Sequence, residues 1–186
     1  FNAVHFPVQV PQEEIDKYVG KYAEGYDVIR NRRWEKQKQL GLFEESDRLT
    51  PRNPSPLNTP WEQMTEEERK QQDYRMAIYA GCLDRADQNI GRALNHLEEK
   101  GVLDNTIIIF LSDNGGNAEG GFPGTYETKN GPAGLSGSNI YLGTPWADVA
   151  NTPFLLYEPH GPEGGCCPPL IISWPAGIDK SLWGTI

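Results

Sequence analysis

The stretch from Thr65 to Leu111 constrains this chain most, because it reads as a long helix delivered straight into a strand. Thr65-Glu66-Glu67-Glu68 has the form of a capping box, in which the Thr65 hydroxyl takes an orphan backbone N–H while Glu68 reaches back. Tyr79, Leu83, Ala86, Ile90, Leu94 and Leu97 then step by three or four residues and form one apolar stripe. The spacing predicts a helix from there to about Lys100, stopped at Gly101. After a turn at Asp104-Asn105, the run Thr106-Ile107-Ile108-Ile109-Phe110-Leu111 is β-branched and bounded by turn signals. It predicts a strand buried on both faces. A helix feeding such a strand is half of an α/β unit.

Around this unit the organisation is looser. The chain opens with an extended stretch punctuated by Pro7 and Pro11, followed by a short helix expected from Gln12 to Tyr18. A charged amphipathic pattern runs from about Ala23 to Leu40, with Tyr26, Ile29, Arg33, Trp34 and Gln37 on one face and Gly41 as the stop. The basic residues Arg30, Arg32, Arg33, Lys36 and Lys38 are interspersed with Glu24, Asp27 and Glu35, the pattern of a solvated helix face. Glu44 to Met64 carries Pro51, Pro54, Pro56 and Pro60 and is expected to be loop, an insertion or a substrate-facing segment. Twelve of the 20 glycines fall between Gly115 and Gly165, so the region after Ser112 is read as loops, with one further strand at Pro169 to Trp174. No internal repeat is present.

Composition removes some function classes. Acidic residues number 26 against 17 basic, a net charge of −9, which argues against a protein built to grip nucleic acid. The longest apolar run, Ile107 to Leu111, falls far short of the roughly 20 residues of a membrane span. Phe1-Asn2-Ala3-Val4-His5-Phe6-Pro7 lacks an initiator Met and the pattern of a signal peptide, so the chain is expected to begin inside a longer protein. Cys82 reads as a buried thiol, and the adjacent Cys166 and Cys167 as loop thiols without zinc spacing. The sequence is silent on oligomeric state.

Three places offer chemistry. Ser112-Asp113-Asn114-Gly115-Gly116 directly follows the Ile-rich strand, where ligands collect in open α/β sheets. Asp113 brings a carboxylate and Asn114 an amide oxygen, hard donors suited to Ca²⁺ or Mg²⁺, although the same residues also make an ordinary turn. His5 sits in an extended, Pro-fixed segment from which an imidazole can donate to an anion or act as a general acid. His96, near a helix C-terminus, is explained by the helix dipole. Asn151-Thr152-Pro153-Phe154, followed by Glu163-Gly164-Gly165, suggests a fixed loop beneath a sheet edge and names no chemistry by itself.

Taken in order, Ala3 to Pro7, Asp87-Gln88-Asn89-Ile90-Gly91, Ser112 to Gly115, Asn151 to Phe154, Glu163 to Gly165, and Pro169 to Pro175 resemble the type I sulfatase family, bacterial arylsulfatases in particular. The resemblance implies an α/β fold, an alkaline-phosphatase-like sandwich with a mixed, mostly parallel sheet, of which residues 1–186 would be part of the catalytic domain. It implies a sulfuric ester hydrolase acting on a sulfated small molecule or glycan, with Ca²⁺ (or Mg²⁺) holding the sulfate oxygens. Asp113 and Asn114 would be metal ligands, and His5 would contact the sulfate or protonate the leaving oxygen. The nucleophile in such enzymes is a formylglycine made from a Cys/Ser-x-Pro-x-Arg motif, expected upstream. Many bacterial relatives are exported, so the parent is expected to be periplasmic or secreted.

The sequence also departs from the pattern. No Cys/Ser-x-Pro-x-Arg occurs, so the 186-residue chain alone is expected to have negligible turnover. Glu158 stands where similar proteins carry a Lys aimed at the sulfate, and Leu155 where an Arg often follows Asn-Thr-Pro-Phe. Two like unit charges 4 Å apart repel by ~4 kcal/mol at an effective dielectric of 20, so Glu158 beside a sulfo group is adverse. Residues 101–186 hold only Lys129 and Lys180 as basic groups, which leaves the loss uncompensated locally. Val4 replaces the usual Pro before His5. The alternatives are an inactive sulfatase-like binding protein, a sequence error over Leu155 to Pro162, or a phosphate or phosphonate ester hydrolase of the same superfamily.

Overall fold

The computed structural model describes residues 2–53, 58–158 and 160–184. Its helices and strands run in the order α1 (Gln12–Asp16), α2 (Tyr26–Gln39), α3 (Glu66–Glu99), β1 (Ile108–Leu111), β2 (Tyr126–Glu127), β3 (Asn139–Ile140), α4 (Thr144–Ala150), α5 (Glu163–Cys166) and β4 (Leu170–Ser173). No helix among the described residues is long and apolar enough to cross a membrane. Phe1, Pro54 and Pro56 of the segments read above lie outside the described residues.

Helix α3 starts as its sequence dictates. Thr65 Oγ1 accepts from the Glu68 N–H at 3.2 Å, and the Glu68 carboxylate accepts from the Thr65 N–H at 2.7 Å. At the far end Gly101 adopts φ +68° and its N–H returns to the Glu98 carbonyl. Thr65→Ala removes the hydroxyl acceptor and is expected to cost about 1 kcal/mol. Thermal unfolding should register this as a midpoint lower by about 2–4 °C.

Burial along α3 is one-sided in length as well as in face. Met76, Ala77, Ile78, Ala80, Gly81 and Cys82 are buried, but Leu83 is exposed. Ala86, Ile90, Leu94 and Leu97 are only half-buried, so the expected stripe is covered over the first half of the helix alone. The first half is covered by α1, and a Cβ at Gly81 would stand 2.9 Å from the Glu14 carbonyl. Val8, Val10, Ile15 and Ile140 close this cluster over Ala77 and Ile78. A second cluster joins α2, α3 and α4 through Tyr26, Ile29, Trp61, Met76, Trp146 and Val149. Its rings meet edge-on, Tyr26 lying 4.7 Å from Trp146 and 5.1 Å from Trp61. The Glu44–Met64 segment is therefore not all surface loop: it forms a turn at Trp61–Gln63, and Trp61 and Met64 enter the core.

The strand expected to be buried is exposed. β1 pairs antiparallel with β4, Ile108 opposite Ser173 and Leu111 opposite Leu170. Ile109, Phe110 and Leu111 face water, as do Leu170, Ile171 and Ile172 on β4. The other pair, β2 with β3, is also antiparallel, and no mostly parallel sheet forms among the described residues. An uninterrupted apolar run marks a strand designed for cover on both faces. Among the described residues no layer lies over either face of this ribbon, so the apolar pattern stands without its cover.

Helix α2 also departs from a wholly solvated basic face. Arg30 is buried and donates to the Thr50 carbonyl at 2.6 Å, the Thr50 hydroxyl at 3.0 Å and the Pro153 carbonyl at 3.4 Å. It ties α2 to the segment after α4, and the next basic residue on the same side, Arg33, reaches the Ala150 carbonyl at 3.2 Å.

Candidate functional site

The turn after β1 carries Asp113 and Asn114, and it is held by backbone packed directly on backbone. The Gly115 N–H donates to the Gly165 carbonyl at 2.9 Å, and a Cβ on Gly115 would overlap the Gly164 carbonyl oxygen. Gly164 in turn lies so close to Leu155 and Leu156 that a Cβ there would overlap their carbonyl oxygens. The Glu-Gly-Gly sequence is thus the seat on which the Asp-Asn-Gly-Gly turn rests.

Asn151 is the second clamp. Its amide oxygen accepts from the Gly116 N–H at 2.7 Å, and its amide nitrogen donates to the Leu156 carbonyl at 2.9 Å. The Glu158 N–H reaches the Gly116 carbonyl at 3.1 Å, pairing the Glu158 segment with the turn. Asn114 then donates from its amide nitrogen to the Glu158 carboxylate at 3.1 Å and to the Gly115 carbonyl at 3.0 Å. These bonds engage the nitrogen end of Asn114 and leave its oxygen end without a hydrogen bond among the described residues.

His5 reaches the same place from the other end of the chain. The Val8 N–H donates to the Ile140 carbonyl at 2.9 Å and the Val10 N–H to the Gly134 carbonyl at 2.8 Å, fixing the extended segment that carries His5. The imidazole stacks on Phe6 at 4.3 Å, and its Nδ1 lies 2.8 Å from the Phe6 carbonyl oxygen. A carbonyl can only accept, so Nδ1 bears the proton, and Nε2 has no hydrogen bond among the described residues. Neutral, Nε2 accepts a proton; charged, it donates one.

His5, Asp113, Asn114 and Glu158 all line one cavity of about 920 Å³. The three residues expected from sequence are therefore brought together, and Glu158 joins them. Neither Asp113 nor Glu158 belongs to an ion pair among the described residues. The oxygens of Asp113 and Asn114 suit a hard divalent cation. Two ligands do not make a cage, however, and no group of three or more His, Cys, Asp or Glu side chains gathers for a metal among the described residues.

Arg33, Gln37 and Asn151 also line this cavity and were not expected there as site residues. The signal for two of them lay in the helical period, which sets Arg33 and Gln37 on the face of Tyr26, Ile29 and Trp34. All three cysteines are free, Cys82 buried as its position implied and Cys166 and Cys167 exposed, though Cys166 ends helix α5 instead of lying in a loop.

The whole chain has relatives. A 38% identical match of 195 residues, covering 98% of this chain and 34% of the relative, is to an uncharacterized sulfatase of Schizosaccharomyces pombe. An arylsulfatase of Klebsiella aerogenes is 31% identical over 189 residues, covering 97% of this chain and 40% of that protein. A shorter match, 52% identical over 46 residues and 25% of this chain, is to an N-acetylglucosamine-6-O-sulfatase of Bacteroides thetaiotaomicron, of which it covers 8%. The chain thus spans between a third and two-fifths of the two relatives it matches throughout. The sulfatase family model matches residues 1–185. With that match over nearly every residue, the chain belongs to the sulfatase family.

Proposed function

We propose that this chain forms part of a sulfuric ester hydrolase with an alkaline-phosphatase-like sandwich fold, and that the cavity between His5 and the Asp113-Asn114 turn receives the sulfo group. The observation that carries this reading is the shared cavity: residues 108 positions apart in sequence, His5 and Asp113, line the same hollow. Asp113 and Asn114 would hold Ca²⁺, or Mg²⁺, together with ligands supplied from elsewhere. The ion when bound would neutralise the sulfo oxygens. In its doubly protonated, charged form His5 is suited to donate from Nε2 a hydrogen bond to a sulfo oxygen or a proton to the departing alcohol, with Nδ1 held on the Phe6 carbonyl. The formylglycine nucleophile of this reading is not supplied by this sequence, in which the Cys/Ser-x-Pro-x-Arg frame does not occur.

Glu158 favours a second reading. Its carboxylate lines the cavity and accepts from Asn114, in the position where the resemblance places a Lys, which would suit a relative that binds sulfated ligands without turnover. One experiment separates the two. The full-length gene product is incubated with an aryl sulfate and Ca²⁺, then with a chelator. The enzyme reading expects hydrolysis that chelation removes and Ca²⁺ restores; binding of the ester with no release of sulfate would overturn it in favour of the binder.

A further inference from the structure

Arg33 is the one Arg or Lys among the described residues that line the cavity. It reaches the wall from α2, an element separate in sequence from every motif that resembles the family. Its place there is fixed by α2 packing: Tyr26, Ile29 and Trp34 are buried, and one face of the helix carries Arg33 and Gln37 one turn apart. A short chain of contacts links the position to the Asp113-Asn114 turn. Arg33 donates to the Ala150 carbonyl, and the next residue, Asn151, holds the Gly116 N–H.

The guanidinium is under-used. It has five N–H donors, yet its one hydrogen bond among the described residues is to Ala150 at 3.2 Å, and it forms no ion pair there. It is accessible to solvent and also walled by protein, as a group on a cavity side is. Burial pulls its pKa below the usual arginine value, with the Tyr79 and Tyr22 phenols acting in the opposite sense. The neighbouring Gln37 donates from its amide nitrogen to the Thr152 carbonyl at 2.8 Å, while its buried amide oxygen has no partner among the described residues. One turn of helix therefore offers the cavity a cation with spare donors and an acceptor suited to a hydroxyl.

We propose that Arg33 is the anion-binding residue of this cavity, taking a negatively charged oxygen of the substrate from the α2 side. The inference rests on the sulfate-ester reading and adds to it the cation that Glu158 and Leu155 fail to supply. Asp113 and Glu158 otherwise make the lining acidic, a poor host for any sulfo group. A planar guanidinium facing an anion in a walled site gives stronger hydrogen bonds than a neutral donor does. The anionic oxygen has two sources: the sulfo group itself, or a second acidic substituent on the alcohol part.

Non-hydrolysable sulfonates separate these sources. Equilibrium binding of benzenesulfonate and of 4-sulfobenzoate, with Ca²⁺ present, is measured by titration calorimetry on the full-length protein and on its Arg33→Gln and Arg33→Lys variants. Arg33→Gln is expected to weaken binding about tenfold or more, and Arg33→Lys by less. A loss for both ligands assigns Arg33 to the sulfo group; a loss for 4-sulfobenzoate alone assigns it to the second anion. If Arg33→Gln binds both ligands as the wild type does, or the wild type binds neither, the inference is overturned. Asp113→Ala serves as the reference. If it abolishes binding while Arg33→Gln does not, the inference fails and the sulfate-ester reading stands; if neither changes binding, both fail. Melting midpoints of the variants check folding, and a purely structural role for Arg33 would lower them without distinguishing the ligands.

Discussion

Asp113→Ala is expected to lower Ca²⁺ affinity of the full-length protein by more than about 100-fold and to abolish sulfate-ester turnover with it. Loss of a partner that merely orients a metal ligand costs about 10–100-fold. Removing a charged ligand itself exceeds that range, because calcium affinity follows the number of charged oxygens in the shell. Asp113 is exposed in the cavity and forms no ion pair among the described residues, so its removal should leave the melting midpoint nearly unchanged. Asp113→Asn keeps the oxygen and loses the charge, and is expected to fall between. Terbium luminescence or calorimetry reads the affinity directly. Unchanged metal affinity in Asp113→Ala would remove the metal from this turn.

Gly115→Ala is expected to act oppositely, through the fold instead of the charge. The added methyl would overlap the Gly164 carbonyl oxygen, and both partners are backbone, so no side chain can rotate away. Forced overpacking of this kind costs about 3 kcal/mol, the upper end of its usual range. The melting midpoint should drop by about 6–12 °C. Because Gly115 adjoins Asn114, the turn must shift to relieve the overlap, and anion binding should weaken in the same variant. A midpoint within 1–2 °C of the wild type, about what a fraction of a kcal/mol produces, would mean that the glycine seat is dispensable.

The parts of this chain that sequence made legible are those governed by local rules. The capping box, the Gly101 stop and the end of α2 before Gly41 follow from local chemistry and form where expected, whereas α2 starts at Tyr26, three residues after the expected Ala23, behind the positive-φ Gly25. The meeting of His5 with Asp113 and Asn114 was legible through motif order, since spacing alone gives no reason for those segments to converge. What failed depended on distant partners. The β1 run has the composition of a covered strand, but cover is a property of what lies over it. The second half of the α3 stripe failed for the same reason. Arg30 and Arg33 were read by the charges around them in sequence, whereas Thr50, Pro153 and Ala150, far away in the chain, decide where their guanidinium groups go. Asn151 was in view as part of a motif, and its role appeared only when its amide was found between Gly116 and Leu156.

The bare β1–β4 ribbon bears on how well the proposed metal oxygens are held. A two-stranded ribbon is marginal in water by itself, and its exposed apolar side chains forgo most of the roughly 1.5–3 kcal/mol that burying each would contribute. Its backbone bonds should then open with little free energy, among the first amides of the molecule to exchange with solvent. Asp113 hangs from the end of that loosely anchored rod, steadied chiefly by Gly165 and Asn151. Any layer laid over the ribbon would thereby also stiffen the mount of a cation held at the turn, so cation affinity and hydrogen-exchange protection of residues 108–111 should rise together.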